Sequence, residues 1–373
     1  MPIKVCHLTS AHDSNDSRIF QRECVSVAAN DDFDVYLVAP GESYNSKTVK
    51  VVGIGEKPSS RIERMTKFPK RVFDKAIEID ADIYHFHDPE LLGVGKKLKK
   101  RGKKVIFDSH ESTVDQIRIK PYLPKFMRGL IAKAYDFYER EICLKLDAVI
   151  FPCLVNEKNP FEKKAKRTIF LNNLPFLSEF QMDDTCEKLF DVCVIGSLTE
   201  SRGITYLLQA CKKVNATIAL GGDFETEEYM EQLQQQGLLD SKFVNYFGFC
   251  DRLMVRQLYL QSKLCVSNIL PVGQYPIAGN LPTKVYECMA MKMPIIISNF
   301  DYPVKLNAIY NFAICVDPEN VDEISGAISE LLSNQAEYTL LGQNGRSAIE
   351  NEFNWEKESI KLLELYRELY EEI

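Results

Sequence analysis

Short apolar runs recur along the first half of the chain, and longer stretches with helical spacing of apolar positions separate several of them. Runs of this kind, bounded by polar or turn-forming residues, are typical of buried β-strands. They are IKVCHL, FDVYLVAP, VKVVGI, ADIYHFH, KKVIFDSH and DAVIFPC. Because strands alternate with helices, the pattern predicts a parallel sheet covered by helices.

The same alternation starts again in the second half, with FDVCVIGSL, ATIALGGDF, VNYFGFC, LCVSNILP, PIIIS and FAICVD. Residues 172–189 show no clear period and predict a linker. We therefore expect an α/β fold with two Rossmann-like domains, residues 1–175 and residues 176–373, facing each other across a cleft. We expect the last helix to cross back to the first domain.

Composition argues against a membrane-spanning or secreted protein. No apolar run approaches the roughly 20 residues that a membrane-spanning helix needs, and the segment MPIKVCHLTS lacks the pattern of a signal peptide. The eleven cysteines include no CxxC pair, and several fall within apolar runs. This favours reduced, buried thiols over disulfides or zinc ligands. We expect a cytoplasmic protein.

Charge is divided unevenly along the chain. Residues 1–175 hold 31 of the 46 basic residues and 24 of the 53 acidic residues, a net charge of +7, whereas residues 176–373 carry −14. Opposite signs in the two halves predict two domains with different partners.

The stretch NLPTKVYECMAMKMPIIIS contains the strongest candidate chemistry. It predicts a loop, a helix and a strand, with Lys284 and Glu287 on one helix face. A cation at a helix N-terminus opposes the helix dipole unless an anion lies between them. A phosphate fits that place, and Glu287 fits a ribose diol. The alternative is a capping box with a solvated lysine, but Thr283 as the N-cap requires an acid at position 286, where Tyr286 stands.

A second anion candidate follows the strand FDVCVI. Arg202 comes after the Gly196 turn and opens a helix, although it could equally be a surface arginine. Gly222 and Phe249 lie in further loops that follow strands, where a backbone can approach a ligand closely.

The first half offers polar candidates for binding a second substrate. Strand alternation puts His85 and His87 on one face, with Asp88 following. The sequence identifies no third metal ligand, so we favour acceptor contacts over a metal site. Asp16 and Arg18 precede a helix, where Asp16 is either an N-cap or an acceptor ligand. In DAD (residues 80–82), solvated carboxylates before a strand are favoured over a metal-binding DxD.

In order, the motifs resemble those of family-4 retaining glycosyltransferases with the GT-B fold. The C-terminal half resembles them through GSLTESRGI, LPTKVYECMAMKMPIIIS and FNWEKESIKLLELY. The N-terminal half resembles members that build bacterial surface polysaccharides, through HLTSAHDSNDSRIFQREC, ADIYHFHDPELL and VIFDSHE. The resemblance covers nearly the whole chain.

The resemblance implies a role for individual positions. Glu287 matches a glutamate that holds the nucleotide ribose, and His110 matches a histidine beside the donor sugar. The other implied donor contacts are Arg202, Lys284 and Thr283 at the phosphates, Phe249 at the base, and Ser197 where many members have arginine. The family often has a second glutamate eight positions before the ribose-binding one, and here Gly279 stands there. This departure leaves the donor sugar unspecified.

The resemblance implies an activity as well. We expect retaining transfer of a sugar from a nucleotide donor, UDP-linked more than GDP-linked, to a glycan acceptor that is lipid-linked. His110, Arg202 and Lys284 would be the catalytic residues, and no metal or other cofactor is expected. The alternatives are a UDP-sugar 2-epimerase of the same fold and a non-catalytic nucleotide-sugar-binding protein.

Two basic segments of the first half interleave aromatic and aliphatic residues. MTKFPKRVFDK and IKPYLPKFMRGLIAK either lie on an anionic membrane surface or form amphipathic helices packed on their own sheet. The first reading predicts peripheral membrane association through Lys67, Lys70, Arg71, Lys125 and Arg128. Nucleic acid is not an expected partner, because the overall charge is negative and no recognised binding motif is present.

Overall fold

The structure is a computed structural model that describes residues 2–110, 112–119, 123–183 and 185–373. It divides into two compact units, unit 1 with residues 1–173 and 356–373 and unit 2 with residues 174–355. The sequence placed this division between residues 175 and 176. Glu111 of the VIFDSHE motif and residues 120–122 of the second basic segment lie outside the described residues.

Unit 1 is built on an eight-stranded sheet in the order β3-β4-β2-β1-β5-β6-β7-β8. Every neighbouring pair is parallel except β3 and β4. The strands are β1 (Ile3–Leu8), β2 (Phe33–Ala39), β3 (Tyr44–Ser46), β4 (Val49–Gly53), β5 (Ile83–Phe86), β6 (Lys104–Asp108), β7 (Ala148–Phe151) and β8 (Thr168–Phe170).

Helices connect the strands of unit 1. A π-helical turn, Ile19–Cys24, runs into a short helix after β1, and a 3-10 turn, Pro89–Leu91, follows β5. The α-helices are α1 (Val25–Ala28), α2 (Arg61–Ile79), α3 (Leu92–Lys99), α4 (Thr113–Ile119) and α5 (Lys125–Cys143).

Unit 2 contains a six-stranded, fully parallel sheet in the order β11-β10-β9-β12-β13-β14. Its strands are β9 (Phe190–Ile195), β10 (Ile218–Gly221), β11 (Val244–Gly248), β12 (Ser262–Ser267), β13 (Ile295–Ser298) and β14 (Ala313–Val316). Its helices are α6 (Ile204–Val214), α7 (Glu227–Gln235), α8 (Arg252–Gln261), α9 (Thr283–Ala290), α10 (Asp301–Tyr310), α11 (Val321–Ser333) and α12 (Gln335–Asn351). Three 3-10 turns complete it: Leu177–Glu179, Glu200–Arg202 and Tyr275–Ile277.

Both faces of the unit 2 sheet are buried, as the near-continuous apolar strands require. On β9, Cys193 and Ile195 belong to one core with α8 and α9, while Val192 and Val194 belong to a second core with α6 and α11. Burial on both sides leaves the loops at the ends of the strands as the part of the sheet where polar side chains can gather.

The last helix, α13 (Trp355–Glu371), packs within unit 1 over nearly its whole length. Its buried side chains recur at helical spacing, and they include Leu362, Leu365, Tyr366 and Leu369. The side chain of Tyr366 reaches the sheet, where its hydroxyl lies 2.7 Å from His85 Nδ1 and 3.1 Å from His7 Nε2.

The structure confirms the predicted α/β fold with two parallel sheets. Residues 172–189 are irregular apart from one 3-10 turn, and Asp184 in this stretch is outside the described residues. The short edge strands β3 and β8 have no counterpart in the sequence prediction, because three residues are too few for a recognisable period. None of the described helices is long and apolar enough to cross a membrane.

Substitution of Leu362 tests the packing of α13. Leu362→Ala should lower the free energy of unfolding by about 2–5 kcal/mol, because it leaves a cavity at a fully buried position. Ile360→Ala on the same helix is the matched control, since Ile360 is 49% exposed, and it should cost about 0.5 kcal/mol or less. Urea unfolding followed by circular dichroism measures both, and equal losses would contradict this packing.

Candidate functional site

Three glycine loops lie side by side at the carboxyl edge of the unit 2 sheet. The Gly196 N–H donates to the Gly221 carbonyl (2.8 Å), and the Gly222 N–H donates to the Gly248 carbonyl (2.6 Å). Gly222 has a φ of +125°, and a Cβ there would lie 2.0 Å from the Gly196 carbonyl oxygen. Only glycine permits this approach, so the loops after β9, β10 and β11 form one packed surface.

Arg202 is held next to this surface by the 3-10 turn that precedes α6. Thr199 caps the turn by accepting from the Arg202 N–H at 3.1 Å, and the guanidinium lies 3.2 Å from the position of a Cβ on Gly196. Gly203 then opens α6 with a φ of +68°, and a Cβ there would meet the Asn268 carbonyl oxygen at 2.1 Å. Arg202 thus lies at the edge of these loops, and its predicted contact with the donor phosphates stays a prediction.

Lys284 lies in the first turn of α9, which begins at Thr283 and not at the following residue, so Thr283 is not the N-cap. The Lys284 side chain is 9% exposed. Burial, followed by the positive charge of Arg202, lowers the pKa of Lys284 to about 8. Within the described part of the chain, neither cation forms an ion pair or side-chain hydrogen bond. Two neighbouring cations without an anionic partner form a site prepared for an anion.

Glu287, one helical turn after Lys284, is already fixed in orientation. Its Oε1 accepts from Arg252 Nη1 at 2.7 Å, and its Oε2 accepts from the Tyr259 hydroxyl at 2.9 Å. Arg252 also pairs with Glu179 at 2.6 Å. Each oxygen of Glu287 keeps one lone pair for a further donor, such as a sugar hydroxyl. The sequence analysis missed Arg252 and Tyr259, because only the packing of α8 against α9 brings them to Glu287.

The remaining predicted donor contacts differ in exposure. Ser197 is exposed beside Gly196, Thr283 and Gly222 are partly exposed, and Phe249 is 79% exposed directly after β11. An aromatic ring left in solvent is available for stacking on a nucleotide base. The role of Phe249 in base binding stays a prediction.

In unit 1, a single buried carboxylate organises the carboxyl ends of the central strands. Asp108 ends β6 and accepts from Arg18 Nε (2.9 Å) and Arg18 Nη2 (3.1 Å). Its Oδ2 also lies 3.2 Å from His87 Nδ1 and 2.9 Å from His110 Nε2. The Arg18 charge, together with His110, holds the pKa of Asp108 well below its usual value despite burial.

His110 is therefore anchored and also partly accessible. Its Nε2 faces Asp108 and lies 3.1 Å from His87 Nδ1, while 17% of the side chain is exposed. An imidazole held by a carboxylate has a defined orientation and leaves its second nitrogen for another partner. The prediction that His110 acts beside a donor sugar is compatible with this geometry and stays a prediction.

Three of the four residues predicted to contact an acceptor are turned inward. Arg18, His87 and Asp88 are at most 5% exposed. Asp88 Oδ2 accepts from the Thr9 hydroxyl (2.8 Å) and from the Ser10 N–H (2.6 Å), so it shapes the loop after β1. Their polar atoms form hydrogen bonds and ion pairs within unit 1. In this structure these three side chains therefore hold the neighbouring loops in place and do not face a bound acceptor.

Asp16 is the fourth residue, and it bonds to the backbone at the start of the π-helical turn. Its Oδ1 accepts from the Arg18 N–H (2.8 Å) and the Ile19 N–H (2.9 Å), and its Oδ2 lies 3.2 Å from His12 Nδ1. This is the capping role that the sequence analysis offered as the alternative to acceptor binding.

A cluster of imidazoles fills the space beneath Asp108. His7, His85, His87 and Glu23 are all fully or almost fully buried. Burial lowers the pKa of His7 and of His85 well below the usual value and that of His87 to about 4, so all three imidazoles are neutral. Burial, with the nearby Asp108, raises the pKa of Glu23. The acidic pair of the DAD motif lies elsewhere, before β5 at the opposite edge of the sheet.

Comparisons with known proteins agree with this architecture. Residues 180–348 match the family model described as glycosyl transferases group 1. Spore coat protein SA of Bacillus subtilis is 28% identical over 186 residues, which cover 47% of this chain and 48% of the relative. An uncharacterized glycosyltransferase of Methanocaldococcus jannaschii is 23% identical over 180 residues, 47% of this chain and 44% of the relative. The matches thus span about half the length of these curated relatives.

Solved structures extend the likeness to the whole chain. Sucrose-phosphate synthase from Thermosynechococcus elongatus superposes with a TM-score of 0.76 at 16% identity, covering 100% of both chains. Anabaena HepE, solved in complex with UDP and glucose, superposes with a TM-score of 0.73 at 12% identity, covering 97% of this chain and 98% of HepE. At these identities the likeness concerns the fold.

The two sheets, together with the comparisons, lead to one conclusion about the fold of the chain. The chain has the GT-B fold, and its residues 180–348 match the family model of the glycosyl transferases of group 1.

Proposed function

We propose that the protein is a glycosyltransferase that takes a sugar from a nucleotide-sugar donor. The observation that carries this proposal is the pair of cations at the edge of unit 2, Arg202 and Lys284, which lack an anionic partner among the described residues. Lys284 also lies one helical turn before Glu287 on α9. A nucleoside diphosphate supplies both missing groups, since its phosphates are anionic and its ribose diol can donate to the carboxylate.

The two cations also suit the chemistry of transfer. When the bond between the anomeric carbon and the phosphate oxygen breaks, negative charge grows on the departing diphosphate. Fixed cations and the N-terminus of α9 stabilise this charge without reorganising. Two cations make a divalent metal at the phosphates unnecessary, so we propose a reaction without metal at this position.

The stereochemistry of transfer and the identity of the nucleotide are proposed from the resemblance to known glycosyltransferases. By resemblance, we propose that the sugar retains its anomeric configuration, with the acceptor attacking from the face that the diphosphate leaves. The departing phosphate helps to remove the acceptor proton, and His110 orients the sugar. Anabaena HepE was solved with UDP, which supports a UDP-linked donor over a GDP-linked one.

For the acceptor, we propose a growing, lipid-linked glycan of a surface polysaccharide, met at an anionic membrane. The name of the Bacillus relative, a spore coat protein, is in keeping with a cell-surface product. Helix α5 supports membrane docking, because Phe126, Leu130 and Phe137 are exposed and share one face with Lys133. This exposure favours the membrane reading over the alternative in which the helix face packs on its own sheet.

An acceptor-dependent assay tests the central proposal. Purified protein should consume UDP-glucose or a related UDP-sugar and release UDP only when a glycan acceptor is present. A 2-epimerase would convert the UDP-sugar without acceptor, and a non-catalytic binding protein would shift in melting temperature with UDP-sugar but never turn it over. Either result would overturn the proposed transfer.

The pKa of Lys284 makes diphosphate binding depend on pH. A phosphate beside the ammonium stabilises its charged form, so binding raises the pKa from about 8. UDP affinity should be full below that pH and should fall by up to about tenfold per unit above it, until the pKa of the complex is reached. Calorimetric titration with UDP between about pH 7 and about pH 9.5 measures the slope.

Lys284→Arg is the matched control for this titration, because a guanidinium keeps its charge throughout the range. It should bind UDP with little pH dependence, and Lys284→Met should bind weakly at every pH. If the arginine variant keeps the wild-type slope, Lys284 does not hold the diphosphate.

Substitution of His110 tests its proposed place in turnover. His110→Ala should lower kcat by about a hundredfold or more, because the donor sugar loses a group that orients it. UDP affinity and the melting temperature should stay nearly unchanged. His12→Ala, which removes the neighbouring imidazole with ring centroids 4.9 Å away, is the control. Normal turnover in the first variant, or loss of activity through unfolding, would remove His110 from the reaction centre.

The exposed face of α5 can be tested with vesicles. The protein should sediment with vesicles that contain phosphatidylserine and should be released by salt, because the attraction of basic side chains to anionic lipid is screened. Phe126→Ser combined with Leu130→Ser should weaken sedimentation. Leu189→Ser combined with Ile309→Ser removes comparable exposed apolar side chains from unit 2 and should not. Equal losses in both double variants, or binding that ignores salt, would contradict docking through α5.

A further inference from the structure

We propose that unit 1 contains a buried site for one zinc-like divalent cation, formed by His7, His85, His87 and Glu23. These four residues form a histidine cluster. They each offer one ligand atom, and all four atoms lie within 4.8 Å of one another. The site is separate from the donor site in unit 2 and does not depend on the proposed transfer reaction.

The sheet itself assembles the three imidazoles. In the parallel pairing of β1 and β5, His7 is the direct partner of His85. His87 lies two residues beyond His85 and therefore on the same face of the sheet. Glu23 comes from the π-helical turn that covers this face, and π-helical turns are frequent at functional sites.

The separations between the ligand atoms are close to those of a tetrahedral site. Zinc–nitrogen bonds of about 2.0–2.1 Å require neighbouring ligand atoms about 3.3 Å apart. Here His7 Nδ1 lies 3.0 Å from His87 Nε2. Glu23 Oε2 lies 3.7 Å from His85 Nδ1, 3.9 Å from His7 Nδ1 and 4.0 Å from His87 Nε2. The four ligand atoms would move closer together around an ion, and His85 Nδ1 would exchange its contact with the Tyr366 hydroxyl (2.7 Å) for the ion.

Unsatisfied polar atoms give an independent reason for a ligand here. Neither carboxylate oxygen of Glu23 accepts a hydrogen bond from a described residue, and His85 Nε2 has no described partner either. Both side chains are completely buried. Buried polar groups without partners cost stability, and a metal ion at the centre of the cluster would use the carboxylate.

The two carboxylate oxygens of Glu23 face different neighbouring groups. Oε1 lies 3.1 Å from Arg18 Nε, whereas Oε2 is the atom that faces the imidazoles. The buried group contains two carboxylates, Glu23 and Asp108, against the single positive charge of Arg18. With Glu23 ionised, a cation at the cluster would balance this second negative charge.

Groups around the cluster are arranged as partners of metal ligands. His87 Nδ1 lies 3.2 Å from Asp108 Oδ2, which leaves Nε2 for the ion. His7 Nε2 lies 3.1 Å from the Tyr366 hydroxyl of α13, which leaves Nδ1 for the ion. A carboxylate or hydroxyl on the second nitrogen of a ligating histidine fixes its tautomer and ring orientation.

A second group of three residues, His87, Asp108 and His110, also has suitable spacing. It is the weaker candidate, because Asp108 already accepts two hydrogen bonds from the Arg18 guanidinium, whereas neither oxygen of Glu23 accepts a hydrogen bond from a described residue. Three imidazoles and one carboxylate are the nitrogen and oxygen ligands that zinc accepts in tetrahedral geometry. With four protein ligands and no exposure to solvent, the ion would be structural and would join β1, β5 and the π-helical turn.

Metal content of the full-length protein tests the site. Protein produced in zinc-supplemented medium and passed over a desalting column should retain one zinc per chain by mass spectrometry. Protein produced with cobalt should show the visible absorption of a tetrahedral site without a thiolate-to-cobalt band, which separates the histidine cluster from the eleven cysteines. Absence of retained metal from both preparations would overturn the proposal.

Glu23→Gln removes the anionic ligand with little change in shape, and Glu139→Gln is the matched control, since Glu139 is also buried in unit 1 but pairs with Lys164. Zinc should be lost from the first variant and retained by the second. Denaturing each protein and refolding it with zinc or with chelator gives the second readout. Zinc should raise the melting temperature of wild type and of Glu139→Gln by about 5 °C at about a hundredfold excess over Kd.

The same zinc-dependent rise should be absent from Glu23→Gln. A purely structural role for Glu23 would lower the melting temperature equally with zinc and with chelator and would leave zinc content unchanged. That result would overturn the site. Because zinc content and melting temperature do not involve a nucleotide sugar, failure here leaves the proposed transfer reaction untouched.

Discussion

The buried ion pair between Asp108 and Arg18 is the interaction on which unit 1 depends. Arg18 also donates to the Leu171 carbonyl oxygen at 3.3 Å, so one guanidinium joins the π-helical turn, β6 and the segment after β8. Removing one partner of such a pair leaves an uncompensated charge, which costs about 3–5 kcal/mol. The pair thus fixes where β6 ends, and with it the orientation of His87 and His110.

The cations of the candidate site in unit 2, in contrast, are not paired with a carboxylate among the described residues. They are Arg202 and Lys284, and burial together with the charge of Arg202 lowers the pKa of Lys284. Glu287, four residues beyond Thr283, is instead neutralised by Arg252 and oriented by Tyr259. A site that is electrostatically incomplete gains more from binding an anion than a site that is already balanced. This contrast is the reason for proposing that the donor binds to unit 2.

The carboxyl edge of a parallel sheet makes both arrangements possible. Strands buried on both faces leave little room for charged side chains along their length, so charged groups collect in the loops that follow them. In unit 2, glycine at position 222 lets these loops touch. In unit 1, Asp88 draws the loop after β1 inward through its contacts with Thr9 and Ser10. The loops therefore gain fixed shapes from local contacts.

The sequence by itself determined the features that depend on the periodicity of apolar residues and on residues that are near each other along the chain. Apolar alternation was enough to predict two parallel α/β domains, to place Lys284 and Glu287 on one helix face, and to put His85 and His87 on one face of a strand. Each of these predictions depends on the geometry of a single helix or strand, in which the sequence separation of two residues determines whether they share a face.

Only the tertiary structure decided which elements meet. His7 faces His85 because β1 pairs with β5 in one register, and Glu23 joins them because the π-helical turn covers that face. Arg252 and Tyr259 reach Glu287 from another helix, and Arg18 turns inward to a carboxylate 90 residues away. Periodicity tells which side of an element is buried but not which partner buries it, since long-range pairing depends on the packing of the whole sheet.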